Sequence, residues 1–357
     1  MGFFGLGKSD SHIGVDVGTA SIKVVELEKD GGRFKLSNYG FFELKSSVDG
    51  AIQAHQEISK FGDKDIVWGI QETLKRANIK SKNVIASIPS YSTFATIISL
   101  PYLSKEDMAK AIPFEARKYV PLPLDTVNID WSIVDIGEAK TSGENNAPVV
   151  DVFLAAVSKN ETKRYQSIMR SAGLNLRALE LENMSLIRAL IGNDRSPVAI
   201  VNVGGRSTSI SVIDKGFERA SRNYEFGGFE ITRSIARSLN VDLERAEDLK
   251  RSIGLNDSET KVINEAMLSL IDMMIFETRK TISTYESEKK TTVPKVILVG
   301  GLANMPKFAD YFKEKLGIDV QIGDPFSRII VPDGLKSILP ELGTKFAVAI
   351  GLAMREI

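Results

Sequence analysis

The sequence predicts an α/β protein made by duplicating one fold, with a small α+β unit inserted into the first half. Residues 13–27 and residues 199–213 follow the same plan of apolar strand, glycine turn and alternating strand. Each reads as a β-hairpin with a glycine-containing loop of about three to five residues. Residues 89–175 carry their own alternation of strand and helix. A chain of 357 residues also exceeds the length at which one core usually keeps growing.

A third strand should follow each hairpin, at residues 34–44 and 217–224. Apolar periodicity places helices over 65–77, 228–239, 243–252, 264–285 and 305–316. The helix over 264–285 carries Leu268, Ile271, Ile275, Ile282 and Tyr285 on one stripe, which is a core face. Inside the insert, a strand over 93–100 precedes a helix opened by Ser104, with Asp107 three residues on as in a capping box. Pro113 should kink that helix or end it early. Strands over 128–136 and 149–157 are joined by the polar 137–148 loop, and a further helix spans 160–172. The chain thus divides into 1–88 with 176–195 and 340–357 as a first lobe, and 89–175 as the insert. Residues 196–230 with 292–339 form a second lobe, and 231–291 its helical part.

Composition removes several chemistries. Lys and Arg total 46 and Asp and Glu total 46, so no net charge argues for nucleic acid as a partner. There is no cysteine, which leaves out disulfides, thiolate metal sites and thiol nucleophiles. With His12 and His55 as the only histidines, a histidine metal centre or a Ser-His-Asp triad is not expected. The apolar run from Phe3 to Leu6 is too short for a secretory signal or a span, and reads as a cytoplasmic leader. Leu6 stands where a myristoylation motif wants Ser or Thr. No run of 18 uncharged apolar residues occurs, so membrane association would go through a partner or a surface contact.

The glycine turns are the candidate chemistry. A glycine in a tight loop lets backbone amides approach an anion with no side chain in the way. In the first hairpin Gly18, Thr19 and Ala20 would supply amides, Asp16 would hold magnesium through water, and Ser21 and Lys23 lie on the returning strand. Lys23 reads equally as a phosphate partner or a solvated strand lysine. The second hairpin offers Gly204, Gly205, Ser207 and Thr208 in matching positions, so two loops facing across a cleft would grip one polyphosphate. Further on, an apolar strand ends in Gly300-Gly301 at an expected helix start, with Leu302 and Met305 following, where backbone can pack flat on a purine.

These motifs, in this order, resemble the actin, sugar-kinase and heat-shock ATPase superfamily, and within it the FtsA and PilM branch. The hairpins resemble its two phosphate motifs, residues 297–306 its adenosine motif, and residues 343–354, with small Ala347 and Gly351, its second connecting motif. The block from Gly227 and Gly228 through Glu247, Lys250 and Gly254 is similar to FtsA and PilM. The resemblance implies an actin-like ATPase fold with two ribonuclease-H-like lobes and an FtsA-type insert. It also implies bound ATP or ADP with Mg2+, and Glu247 and Lys250 at the ribose or base. Ile88 to Tyr91, Phe114 to Pro123 and Ser171 to Leu174 resemble the PilM family of type IV pilus assembly proteins. FtsA's membrane-targeting helix has no counterpart, which favours that family. It would make the chain a cytoplasmic protein, peripheral at the inner face of the inner membrane. Its partners would be the N-terminal peptide of a PilN-like protein and other pilus machinery, with possible self-association.

Asn202 departs from the pattern, since the superfamily carries aspartate there. An amide adds no charge near magnesium, and such changes cost roughly 10- to 100-fold in metal affinity or activity. Glu182 stands where relatives position the attacking water, or else caps its helix. Arg279 and Lys280 on the long helix either flank adenine and ribose or form a solvated ion-pair face with Glu277. An ATP-dependent scaffold, an FtsA- or MreB-like filament former and a small-molecule kinase all remain readings of this frame. Trp68 and Trp131 read as packing residues.

Overall fold

The computed structural model describes residues 12–43, 62–136, 149–256 and 261–356. The leader, the 137–148 loop and the end of the 34–44 strand at Leu44 therefore lie outside the described residues. Two compact units emerge, one of residues 88–167 and one holding the rest of the chain.

In the larger unit β1 (His12–Val17) and β2 (Ser21–Asp30) form the first hairpin, with Asp16 opposite Lys23 and Val17 opposite Ile22. β3 (Arg33–Glu43) pairs antiparallel with β2. Helix α1 (Asp63–Arg76) is opened by Gly62, whose amide donates to the Asp65 carboxylate at 3.1 Å, and buries Ile66, Ile70 and Leu74. It leads to β4 (Asn83–Ile88), which runs parallel to β1.

The smaller unit is built on a three-stranded antiparallel sheet, and the first of its helices packs on that sheet. β5 (Thr93–Pro101) and β6 (Val127–Ile136) both pair with β7 (Val149–Ser158). Helix α2 (Lys105–Ala116) begins where the Asp107 amide donates to Ser104 Oγ at 3.1 Å, and its Met108 and Ile112 pack on Ile98, Val152 and Leu154. Pro113 does not break it early: the helix runs three residues further, because the proline sits in the last turn. Phe114, Tyr119 and Leu122 stay exposed.

After α3 (Lys159–Ser171), β8 (Asn175–Leu181) completes a five-stranded sheet in the order β3-β2-β1-β4-β8, and α4 (Glu182–Leu190) follows directly. The second half repeats the plan. β9 (Val198–Val203), β10 (Thr208–Asp214) and β11 (Phe217–Tyr224) form an antiparallel meander. Helices α5 (Gly228–Leu239), α6 (Leu243–Ser252) and α7 (Lys261–Lys289) come next. Then β12 (Lys295–Val299), α8 (Phe308–Leu316), β13 (Asp319–Ile322) and α9 (Leu339–Ala353) finish the chain, and the second sheet runs β11-β10-β9-β12-β13. In both sheets the first hairpin strand also pairs parallel with the strand after the crossover, β1 with β4 and β9 with β12.

Helices α4 and α9 join the two sheets. Leu186, Ile187, Ala347, Val348 and Leu352 share one core with Ile85 of the first sheet and Val198, Ile200, Ile213, Ile297 and Val299 of the second. The stripe expected on α7 is present, since Ile271, Ile275, Ile282 and Tyr285 are buried with Phe308 and Phe312 of α8. Among the described residues no helix is long and apolar enough to cross a membrane. Trp131 is half-buried, whereas Trp68 is 55% exposed and touches Phe42 edge-on, so it packs less than expected.

Candidate functional site

The two hairpin loops have the same backbone geometry. The Gly18 amide donates to the Ser21 carbonyl at 3.0 Å, and the Gly204 amide to the Ser207 carbonyl at 2.8 Å. A short loop closed this way turns its remaining amides outward. The tips meet: the Arg206 amide donates to the Thr19 hydroxyl at 3.3 Å, and a Cβ added to Gly205 would lie 2.6 Å from the Ala20 methyl. Only glycine at 205 permits this approach.

Beneath the first loop, Asp16 is 4% exposed and accepts hydrogen bonds from Lys23 Nζ at 3.2 Å and Ser87 Oγ at 3.0 Å. Lys23 thus faces the acid across the register of β1 and β2 and is not a solvated strand lysine. At the matching register of the second hairpin, Asn202 stands opposite Ser209. Ser207 is half-buried, and Thr208 is fully buried with its hydroxyl on the Phe226 carbonyl at 2.8 Å. Among the described residues no cluster of three or more His, Cys, Asp or Glu side chains is suited to a metal ion. Asp16 is one buried carboxylate beneath a glycine loop, and with both oxygens already accepting hydrogen bonds it would hold a magnesium ion through water rather than directly.

The start of α5 packs onto the second loop. The Gly228 amide donates to the Gly204 carbonyl at 3.0 Å and the Phe229 amide to the Gly205 carbonyl at 2.8 Å. Glu230 caps Gly227, accepting from its amide at 2.8 Å. From α6, Lys250 Nζ donates to the Gly228 carbonyl at 2.9 Å, to Thr232 Oγ1 at 2.8 Å and to Glu247 Oε2 at 2.6 Å. Arg251 Nε holds the other oxygen of Glu247 at 2.7 Å. Burial pushes the Glu247 carboxyl up, but the Lys250 charge and hydrogen bond outweigh it and hold it below the usual range. Burial draws the Lys250 ammonium down. The expected Glu247 and Lys250 are therefore more than a routine surface pair, since together they fasten the Gly227-Gly228 turn.

The strand-to-turn at Gly300 departs from expectation. Residues 301–307 form turns, and α8 begins at Phe308 instead of Met305, because Lys307 takes a left-handed conformation at φ 62° that no continuous helix can pass through. Gly300 itself has φ +90°, and a Cβ there would lie 2.2 Å from the Val203 carbonyl oxygen. Gly301 has no atom within 4 Å of its Cβ position, so a ligand could approach its backbone. Leu302 and Met305 point into the second core, which leaves only their backbone to meet a ligand.

Three expected residues have contacts or positions within the fold itself. Arg279 donates to the carbonyls of Lys315 and Leu316, capping the C-terminus of α8. Lys280 is 3.9 Å from Glu277, whose carboxylate accepts from Tyr224 at 2.6 Å; burial and that carboxylate push the Tyr224 phenol up to about 12. Glu182 is the first residue of α4, where its charge complements the helix dipole. Sequence reasoning missed Ser87, Thr232, Glu230 and Arg206. Ser87 reaches Asp16 only through parallel pairing of distant strands, whereas Arg206 was visible between two motif residues.

The model for "Type IV pilus assembly protein PilM" matches residues 14–357. The chain belongs to the PilM family. A chain of a solved "PilM-PilN type IV pilus biogenesis complex" is 22% identical to this PilM-family chain, with a TM-score of 0.80 over 96% of this chain and 98% of that one. MreB 5 of Spiroplasma citri, solved bound to AMPPNP, is 11% identical, with a TM-score of 0.56 over 96% and 94%. Among curated relatives, the cell division protein FtsA of Bacillus subtilis is 22% identical over 364 residues, covering 90% of this chain and 80% of that protein. The fold is the actin-like ATPase fold that the glycine motifs implied.

Proposed function

We propose that this PilM-family chain is a cytoplasmic, actin-like ATP-binding scaffold of type IV pilus assembly, held at the inner face of the inner membrane by a PilN-like partner. The observation that carries the nucleotide part is the meeting of two like loops, with the Arg206 amide on the Thr19 hydroxyl. Gly18, Thr19, Ala20 and Ser21 on one side and Gly204, Gly205 and Ser207 on the other place backbone amides around one phosphate chain. Gly227, Gly228, Gly300 and Gly301 line the nucleoside end, with Glu247 and Lys250 fastening the turn there. Magnesium bound with ATP would neutralise phosphate charge, and Asp16 is the residue to hold it through water. Asn202, with no charge to add, favours slow turnover, and Glu182 is the carboxylate to orient water.

A ligand shifts a conformation only by binding one state more tightly than the other. The coupling to the partner is therefore tested by titrating a PilN-type N-terminal peptide calorimetrically, with and without MgATP. A tighter peptide with ATP supports the scaffold, and equal affinities remove the coupling. Absence of adenine nucleotide binding at millimolar MgATP removes the nucleotide site. Self-association is a second reading, favoured by the exposed Phe114, Tyr119 and Leu122 on the smaller unit. Sedimentation as a single monomeric species with ATP present would count against it.

A further inference from the structure

A concave surface apart from the glycine loops lies where α1 and α3 end. Both helices stop on the same kind of turn. In α1 the Ile79 amide donates to the Leu74 carbonyl at 2.9 Å past a left-handed Asn78, and in α3 the Leu174 amide donates to the Met169 carbonyl at 2.9 Å past a left-handed Gly173. Gln71 Nε2 on the Ser171 carbonyl at 3.1 Å and the Asn175 amide on the Lys82 carbonyl at 2.7 Å fasten the two ends together. The groove there measures about 390 Å³, with Leu74, Ile79 and Ala172 as its floor and Lys75, Asn78 and Lys82 among its walls.

Charge sets this groove apart. Residues 73–83 and 168–178 hold Lys75, Arg76, Lys80, Lys82, Arg170 and Arg177 and neither Asp nor Glu, in a chain of zero net charge. Arg76 is answered by Glu72 at 3.2 Å. Glu26 reaches Ser81, but it is 7% exposed and its oxygens already accept from Ser81 and Asn38. Lys75, Lys80, Lys82 and Arg170 are exposed and pair with no acid among the described residues. The C-termini of α1 and α3 carry about half a negative charge each, which offsets only part of these four. Leu74 and Ile79 are 7% exposed and Ala172 6%, so the apolar atoms lie recessed behind the lysines. A bilayer engages apolar side chains that protrude. A recessed apolar floor under a cationic rim instead receives one side chain of a peptide, with carboxylates left at the rim. We propose that the α1–α3 groove docks an acidic peptide segment of a protein partner, an apolar side chain resting on Leu74, Ile79 and Ala172 and flanking carboxylates on Lys75 and Lys82. None of these residues belongs to the proposed nucleotide site, so the inference stands apart from that reading.

The test is panning of a random octapeptide display library on the immobilised full chain and on its Lys75→Glu, Lys82→Glu double variant. Both lysines are exposed, so the variant should fold, and its melting curve checks this. Peptides enriched on wild type alone should carry Asp or Glu on either side of an apolar residue. The most enriched peptide, synthesised and titrated calorimetrically, should bind the double variant at least about 10-fold more weakly, since like charges then face each other. Its affinity should fall with added salt, and replacing its apolar residue by serine should weaken it as well. MgATP affinity should be the same in wild type and variant. Peptides enriched without acidic residues, equal enrichment on both proteins, or no enrichment at all overturns the proposal. Co-sedimentation with phosphatidylglycerol vesicles that the double variant loses, with no peptide selected, would make the surface a membrane contact and overturns it too.

Discussion

Gly14 in β1 and Ile200 in β9 occupy the same position in two sheets of the same strand order, and they meet opposite surroundings. A Cβ on Gly14 would lie 2.1 Å from the Ala349 carbonyl oxygen and 2.7 Å from the Ala353 nitrogen, because the backbone of α9 rests directly on β1. Ile200 is 2% exposed and fills the core that both sheets share. One hairpin thus pairs an acid with a lysine under a strand that a helix covers closely. The other is neutral at those positions, has an apolar side chain in place of the glycine and bears an arginine at its tip. Duplication preserved the backbone course, while side chains at aligned positions took different tasks. Exchanging them tests that division.

The largest effect is expected from Gly14→Ile, which gives β1 the residue of β9. Its side chain meets helix backbone that cannot move aside, so urea unfolding should lose about 3 kcal/mol or more; a loss near zero would mean that α9 yields. Next is Asp16→Asn, which makes the first hairpin resemble the second. It leaves Lys23, at 15% side-chain exposure, without its acid, and should cost about 2 kcal/mol of stability. Magnesium-dependent nucleotide affinity should fall roughly 10- to 100-fold. The reciprocal Asn202→Asp should raise that magnesium dependence, and calorimetry at varied magnesium reads both.

Glu247→Gln removes the carboxylate from Lys250 and Arg251. Because the Glu247 side chain is 30% exposed, a loss of about 1 kcal/mol is expected, below the cost of breaking a fully buried pair. The carboxyl lies below its ordinary 4.5 in the fold, so its contribution is complete above that pH and is lost as pH falls through the lowered value. The gap between wild type and variant should therefore close in acid. The smallest effect has the opposite sign. Glu218 is buried, accepts from Asn183 Nδ2 at 2.6 Å, and burial pushes its carboxyl above 4.5. A group raised in this way favours the fold while protonated and opposes it as pH rises through the folded value. Glu218→Gln should raise the melting temperature by a few degrees at neutral pH, with the difference shrinking toward pH 4.5; a lower melting temperature at pH 7 would sink this account.

Local elements were legible wherever their causes are local. The expected helices over 228–239 and 243–252 coincide with α5 and α6, since apolar spacing and the Asp242 cap lie within the segments themselves. The hairpins were legible for the same reason. The helix expected from Met305 begins later because Lys307 is left-handed, a backbone state that no periodicity records. Arg279 reads as a ligand candidate in sequence, yet it caps a helix 36 residues away through Lys315. The hold of Ser87 on Asp16 spans 71 residues and exists only because β1 and β4 run side by side.

The amino-acid order by itself determined the duplicated hairpins, the glycine loops and the membership of a family whose motifs are short and contiguous, because turn chemistry and strand alternation act over a few residues. Tertiary structure alone decided that the two loop tips touch, that Lys23 faces Asp16 beneath Ser87, that Lys250 fastens the Gly227-Gly228 turn, and that Leu302 and Met305 turn inward. Those outcomes depend on parallel strand pairing and on helices seated between two sheets, where distances are set by packing across the whole unit and not by spacing along the chain.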